Sequence, residues 1–93
     1  MHLSFDMSIS REDVLRLLPV AVGQAIVEEV EGQFRGSEGP RSWTLQLLPL
    51  AQRRLGSVAL PRHQVELRLK GYSEAEAAAF LARFQRGFQR GGG

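Results

Sequence analysis

Apolar and polar residues alternate without a break from His2 to Ser10. Leu3, Phe5, Met7 and Ile9 fall on one side, and His2, Ser4, Asp6, Ser8 and Ser10 on the other. A period of two over that length predicts a half-buried β-strand. The period then changes. Ser10-Arg11-Glu12-Asp13 is a helix start, because the Ser hydroxyl can accept from the amide three residues on, and the acids suit the positive end of the helix dipole. Val14, Leu15, Leu17 and Leu18 supply the apolar stripe. Pro19 lacks an amide hydrogen and disfavours helix at Leu18, so the helix is expected to stop or bend there.

Alternation returns after Gly23. Residues Ala25 to Arg35 read as a second strand, with Ile26, Val30 and Phe34 inward and Glu29, Glu31, Gln33 and Arg35 outward. Gly36 to Pro40 is a turn by composition. Trp43, Leu45 and Leu47 alternate with Ser42, Thr44 and Gln46 in a third strand, which Pro49 is expected to end or bulge. Ser57 to Leu60 predicts a short fourth strand. Pro61 then shifts the parity before Val65, Leu67 and Leu69 oppose Glu66, Arg68 and Lys70 in a fifth. A bulge at Pro61 to His63 accounts for that shift.

The chain closes on RFQRGFQRGGG, in which FQRG occurs twice. Interleaved Arg, Gly and Phe also describe disordered RNA-binding tails. The preceding residues decide for a helix. Ser73 and Glu76 form a capping box, and Ala75 and Ala77 to Ala79 are strong helix formers. Ala77, Phe80, Leu81, Phe84 and Phe88 then make one stripe at spacings of three and four, with Arg83, Arg86 and Arg90 on another. Gly87 costs about 1 kcal/mol against Ala and is expected to mark fraying. A single domain over residues 1–90, with a flexible glycine tail at 91–93, follows.

Strand, helix, three or four strands, helix describes an α+β two-layer sandwich: an antiparallel sheet of four to five strands with both helices on one face. The order resembles the plan of helix-grip domains and of the TATA-binding-protein half-repeat, in topology alone. Such a likeness carries no function with it.

Composition narrows the chemistry. The chain has 93 residues, 43% of them hydrophobic and 24% charged, which fits one globular domain. The absence of cysteine excludes disulfides, thiolate catalysis and thiolate metal sites. No apolar run approaches the roughly 18 residues of a membrane span, and MHLSFDMSIS has no basic start, so a cytoplasmic protein with no membrane partner is expected. The histidines are His2 and His63 alone, and on one strand Glu28 would point away from Glu29 and Glu31. GQFRGSEG lacks the lysine of a phosphate loop. No catalytic, cofactor-binding or metal-ligating residue is assigned, and no enzyme is expected.

The net charge of +2 hides an asymmetry. Residues 1–40 hold three arginines and seven acids, a balance of −4; residues 41–93 hold nine basic residues and three acids, a balance of +6. One expectation is a non-enzymatic domain working through protein contacts, a homodimer or a complex with another protein. Glu29 and Glu31 would face Arg68 and Lys70 of a second copy, with Val27 and Leu48 as apolar anchors, and salt would weaken the pairing. A second is nucleic-acid binding by Arg53, Arg54, Arg62 and His63 in turns and Arg83, Arg86 and Arg90 on the last helix. The core from residue 11 to 90 resembles the double-stranded RNA-binding domain in its element order. Where that family has lysines at the start of its last helix, this chain has Ser73-Glu74-Ala75-Glu76, whose acids repel phosphate. A third is a small-ligand pocket between sheet and helices around Pro19, Gly23 and Trp43.

Overall fold

The computed structural model describes residues 1–24 and 28–92. Five strands and two helices follow in the order β1 (His2–Met7), α1 (Arg11–Val22), β2 (Glu28–Val30), β3 (Gln33–Glu38), β4 (Arg41–Leu55), β5 (Val58–Lys70) and α2 (Glu74–Gly92). All pairings are antiparallel, and the strand order across the sheet is β1-β5-β4-β3-β2. The chain therefore leaves one edge through α1, re-enters at the other edge, and meanders back until β5 lies beside β1. Both helices pack on the same face, and the architecture is the expected α+β sandwich.

Both helix starts form as their sequences dictate. The Ser10 hydroxyl accepts from the Asp13 amide at 3.1 Å. At α2 the box is reciprocal: Ser73 Oγ accepts from the Glu76 amide, and Glu76 Oε1 accepts from the Ser73 amide at 2.9 Å. Helix α1 does not stop at Pro19 but runs on to Val22. The carbonyl that Pro19 cannot reach is that of Leu15, whose side chain is exposed, so water can take its place. The core joins Val14, Leu17, Leu18, Ala21 and Val22 of α1 to Ala77, Phe80, Phe84 and Phe88 of α2, over Phe34, Trp43, Leu45, Val65, Leu67 and Leu69 of the sheet. The repeated FQRG is thus a packed helical stripe. Gly87 does not fray the helix, which continues through Gly92. It lies against Ala21, so close that a Cβ there would come within 2.5 Å of the Ala21 Cα.

Four strand boundaries differ from expectation. The turn expected over Gly36 to Pro40 narrows to Gly39 and Pro40, because β3 runs on to Glu38 in register with β4. The segment read as one strand from Ala25 to Arg35 is a hairpin, in which Glu31 and Gly32 both adopt positive φ (53° and 79°) between the paired residues Val30 and Gln33. Ala25, Ile26 and Val27 lie outside the described residues. Strand β4 passes through Pro49 to Leu55, because β3 has already left its side by Gln46 and an edge position tolerates the missing donor. The expected fourth and fifth strands are one, β5. The bulge does fall at Pro61, but its extra residue is on the other strand: Leu50 pairs with Arg62 and Arg53 with Leu60, so Ala51 and Gln52 together face Pro61.

Candidate functional site

Beyond Gln46 and His63 the β4–β5 hairpin has no third strand among the described residues. It leaves the sandwich as a two-stranded arm, turned at Gly56–Ser57, and contributes to a long dimension of 47 Å against 26 and 23 Å across. From Leu50/Arg62 to the tip it extends about 17 Å at strand rise. Among the described residues β4 lacks a neighbour on one edge from Leu47 to Leu55, and β5 from Val58 to Arg62.

Directly paired residues share a face, so the registers assign every side chain. On the face away from the helices one row runs His2, Arg68, Thr44, Arg35, Glu28, and the next Ser4, Glu66, Gln46, Gln33, Val30. Within the sandwich this outer face is polar. Along the arm it turns apolar: Leu48, Leu50, Leu55, Val58 and Leu60 all lie on it, with Arg53 and Arg62 among them. Leu48, Leu55 and Val58 are 38%, 61% and 54% exposed. A large aliphatic strip in water on a ribbon that a third strand does not support is an unusual surface.

The expected interface residues are only partly brought together. Leu48, Arg68 and Lys70 lie on the outer face as expected. Glu29 does not. The Glu31–Gly32 turn reverses the parity, so Glu29 pairs with Phe34 and faces the helices, where Arg11 Nη2 donates to its carboxylate at 2.5 Å and the Arg11 guanidinium also covers the Phe34 ring. Glu31 sits in the turn itself. The acidic strip therefore does not exist as a strip. The acids that do reach the outer face are held within the chain: Glu66 by His2 at 2.6 Å, Glu28 by Arg35 at 3.4 Å, and Asp6 by a two-pronged pair from Arg62. That pair holds the Asp6 carboxyl below its ordinary pKa and raises Arg62 above its own. Among the described residues Arg53, Arg54, Arg68, Lys70, Arg83 and Arg86 have no ion-pair partner.

The basic residues considered for nucleic acid are dispersed. Arg53 lies on the outer face of the arm and Arg54 on the opposite one. Arg62 is committed to Asp6. His63 is half-buried on the helix side, its Nδ1 2.7 Å from the Ile9 carbonyl oxygen, where it ties the start of α1 to β5. Arg83 and Arg86 project from α2 beside Val20 and Gly23, in the helix layer, and Arg90 continues that helix. Among the described residues no three His, Asp or Glu side chains converge as metal ligands, and no helix is long and apolar enough to cross a membrane.

A second concave feature lies at the other end of β4. A cavity of about 160 Å³ opens between the end of α1, the β3–β4 hairpin and the first turns of α2. Trp43, Tyr72 and Phe80 line it; Phe80 stacks edge-on with Tyr72 at 5.5 Å. Trp43 Nε1 donates to Gln24 Oε1 at 2.8 Å, and Gln24 Nε2 donates to the Ser37 carbonyl. Arg41 joins Glu38 and Glu76 and lies over the Tyr72 ring. Burial pushes the Tyr72 hydroxyl above its ordinary pKa, and the Arg41 charge opposes that. Comparison with protein-family models, curated proteins and solved structures finds no match.

Proposed function

We propose that this protein is a non-enzymatic assembly domain that pairs with a second copy of itself through the outer face of the β4–β5 arm. The observation that supports it is the aliphatic strip of Leu48, Leu50, Leu55, Val58 and Leu60. A hairpin alone is marginally stable in water, so a ribbon with one apolar face gains from being covered. The strip has large aliphatic residues at its base, Leu48 and Leu50, and at its tip, Leu55 and Val58. A twofold axis across the middle lays the tip of one arm on the base of the other, and each copy then covers the other. Five aliphatic side chains fall short of the roughly 800 Å² that each partner of a stable interface buries, so the polar outer face next to Leu48 must join the contact.

The charges now work in the opposite direction from the complementary strips. Arg53 lies near the middle of the strip, where a twofold brings two copies of it together, and Arg68 and Lys70 also lack acids. Like charges repel, and salt screens them. Raised salt should therefore tighten the dimer, whereas it would release a nucleic acid. Light scattering on the full chain tests this. We expect a dimer that strengthens with salt, persists in Arg53→Gln, and falls to monomer in Leu55→Asp and in Leu48→Asp, with unchanged far-ultraviolet circular dichroism. A monomer that persists at protein concentrations of about 1 mM would overturn the proposal.

A further inference from the structure

The cavity at the end of α1 lies at the far end of β4 from the arm, and its chemistry is independent of assembly. Most of its polar groups are already committed to one another. Gln24 bridges Trp43 and Ser37, and Arg41 pairs with both Glu38 and Glu76. Two groups remain. Among the described residues neither the Tyr72 hydroxyl nor the Arg83 guanidinium has a hydrogen-bond partner, and both residues line the cavity. Arg83 is set in place by Gly23, whose missing side chain leaves room for it; a Cβ there would meet Nη1 at 2.5 Å. The apolar wall is supplied by Trp43 and Phe80, whose ring centroids are 6.3 Å apart, together with Val22 and Ala79.

A guanidinium and a phenol hydroxyl are together a hydrogen-bond donor set that suits a carboxylate, and the planar fork of Arg binds one through two parallel bonds. Flat aromatic walls suit a flat partner. A cavity of about 160 Å³ is close to the size that admits a benzene ring. We propose that this cavity binds a small planar carboxylate of about the size of benzoate, its carboxylate on Arg83 and Tyr72 and its ring among Trp43, Phe80 and Val22. Arg41 pairs with both Glu38 and Glu76 and offsets one of their two charges, and the exposure of Glu38 to water screens the remainder.

Trp43 is the only tryptophan and lines this cavity, so its fluorescence reports a ligand bound there. It also borders a shallow surface with Arg68 and Lys70, and loss of the response in Arg83→Gln is what assigns the signal to the cavity. Benzoate titrated into the full chain should change that fluorescence saturably in the millimolar range expected of so few contacts. Arg83→Gln should weaken binding at least tenfold and Tyr72→Phe by a smaller factor. Arg86→Gln, a neighbouring cation that does not line the cavity, should leave the affinity as it is. Benzyl alcohol, with the ring but without the carboxylate, should bind at least tenfold more weakly than benzoate. Three outcomes overturn the proposal: no saturable response up to about 50 mM benzoate, equal affinity in Arg83→Gln, or equal affinity for benzyl alcohol.

Discussion

Replacing Gly87 with Ala separates two physical effects by sign. In a helix interior Ala is favoured over Gly by about 1 kcal/mol, so helix propensity alone predicts a more stable protein. The packing predicts the reverse. A Cβ at position 87 would lie 2.5 Å from the Ala21 Cα, 2.7 Å from its Cβ and 3.0 Å from its nitrogen, where ordinary contact begins near 3.4 Å. The obstacle is the backbone of α1 and cannot swing aside, so the two helices must part by most of an ångström. Ala21 is 0% exposed, at the centre of that contact. Overpacking of this kind costs roughly 1–3 kcal/mol, which leaves a net loss of about 1 kcal/mol after the propensity gain. Urea denaturation followed by circular dichroism measures it, with an unchanged m-value as the sign that only stability moved. Ala82→Gly, at an exposed position of the same helix, calibrates the propensity scale and should cost about 1 kcal/mol. In the Gly87→Ala background, Ala21→Gly should recover part of the loss, a coupling that two independent sites would not show. If Gly87→Ala stabilises the protein by about as much as Ala82→Gly destabilises it, the close approach of the helices is refuted.

Two further outcomes follow from the core and from the carboxylates. Phe84 is 1% exposed and lies between Phe80 and Phe88, with Phe5 beneath it, so Phe84→Ala should cost about 3–5 kcal/mol in urea; a loss below about 1 kcal/mol means that α2 does not pack on β1. Asp6, Asp13 and Glu76 are each held below the ordinary carboxylate range, by hydrogen bonds from Arg62, from Arg16 and from the Ser73 amide respectively. A carboxyl depressed in the folded state stabilises above the unfolded value near 4, and that contribution is lost as pH falls through the folded one. The urea midpoint should therefore drop between about pH 6 and pH 3, and drop less in a variant carrying Asp6→Asn, Asp13→Asn and Glu76→Gln. Equal midpoints for the wild type at both pH values would show that these contacts do not persist in solution.

Local signals in the sequence are the ones that hold. The alternation of β1, the serine caps and the Phe80-Phe84-Phe88 stripe depend on residues within one or two turns of each other, and each forms as its spacing demands. The β2–β3 hairpin was hidden because its turn sits inside an apparently continuous alternation. The Glu31-Gly32 dipeptide was the available signal, since Gly favours the positive φ that such a turn needs, but Glu in its first place is an uncommon choice. That single turn moved Glu29 to the helix side and undid the acidic strip. Pro49 misled for a different reason. A proline ends a strand only where the strand has neighbours to bond, and whether β3 extends that far depends on tertiary pairing. Leu48 shares the parity of Gln46 and so the outer face, and the aliphatic continuation beyond it exists only because β4 does not stop at Pro49.

The arm has one more consequence. Not one residue from Ala51 to Leu60 is buried. The sandwich therefore places no packing demand on this stretch, and its amides should exchange with solvent long before those of β1 or α2. Sequence change there is nearly free of folding cost, since insertions and substitutions at exposed hairpins leave the core untouched. Descendants of this chain can lengthen the arm, recharge it or exchange its leucines while the two-layer body stays as it is. The surface of the arm can drift quickly; the fold of the body need not change at all.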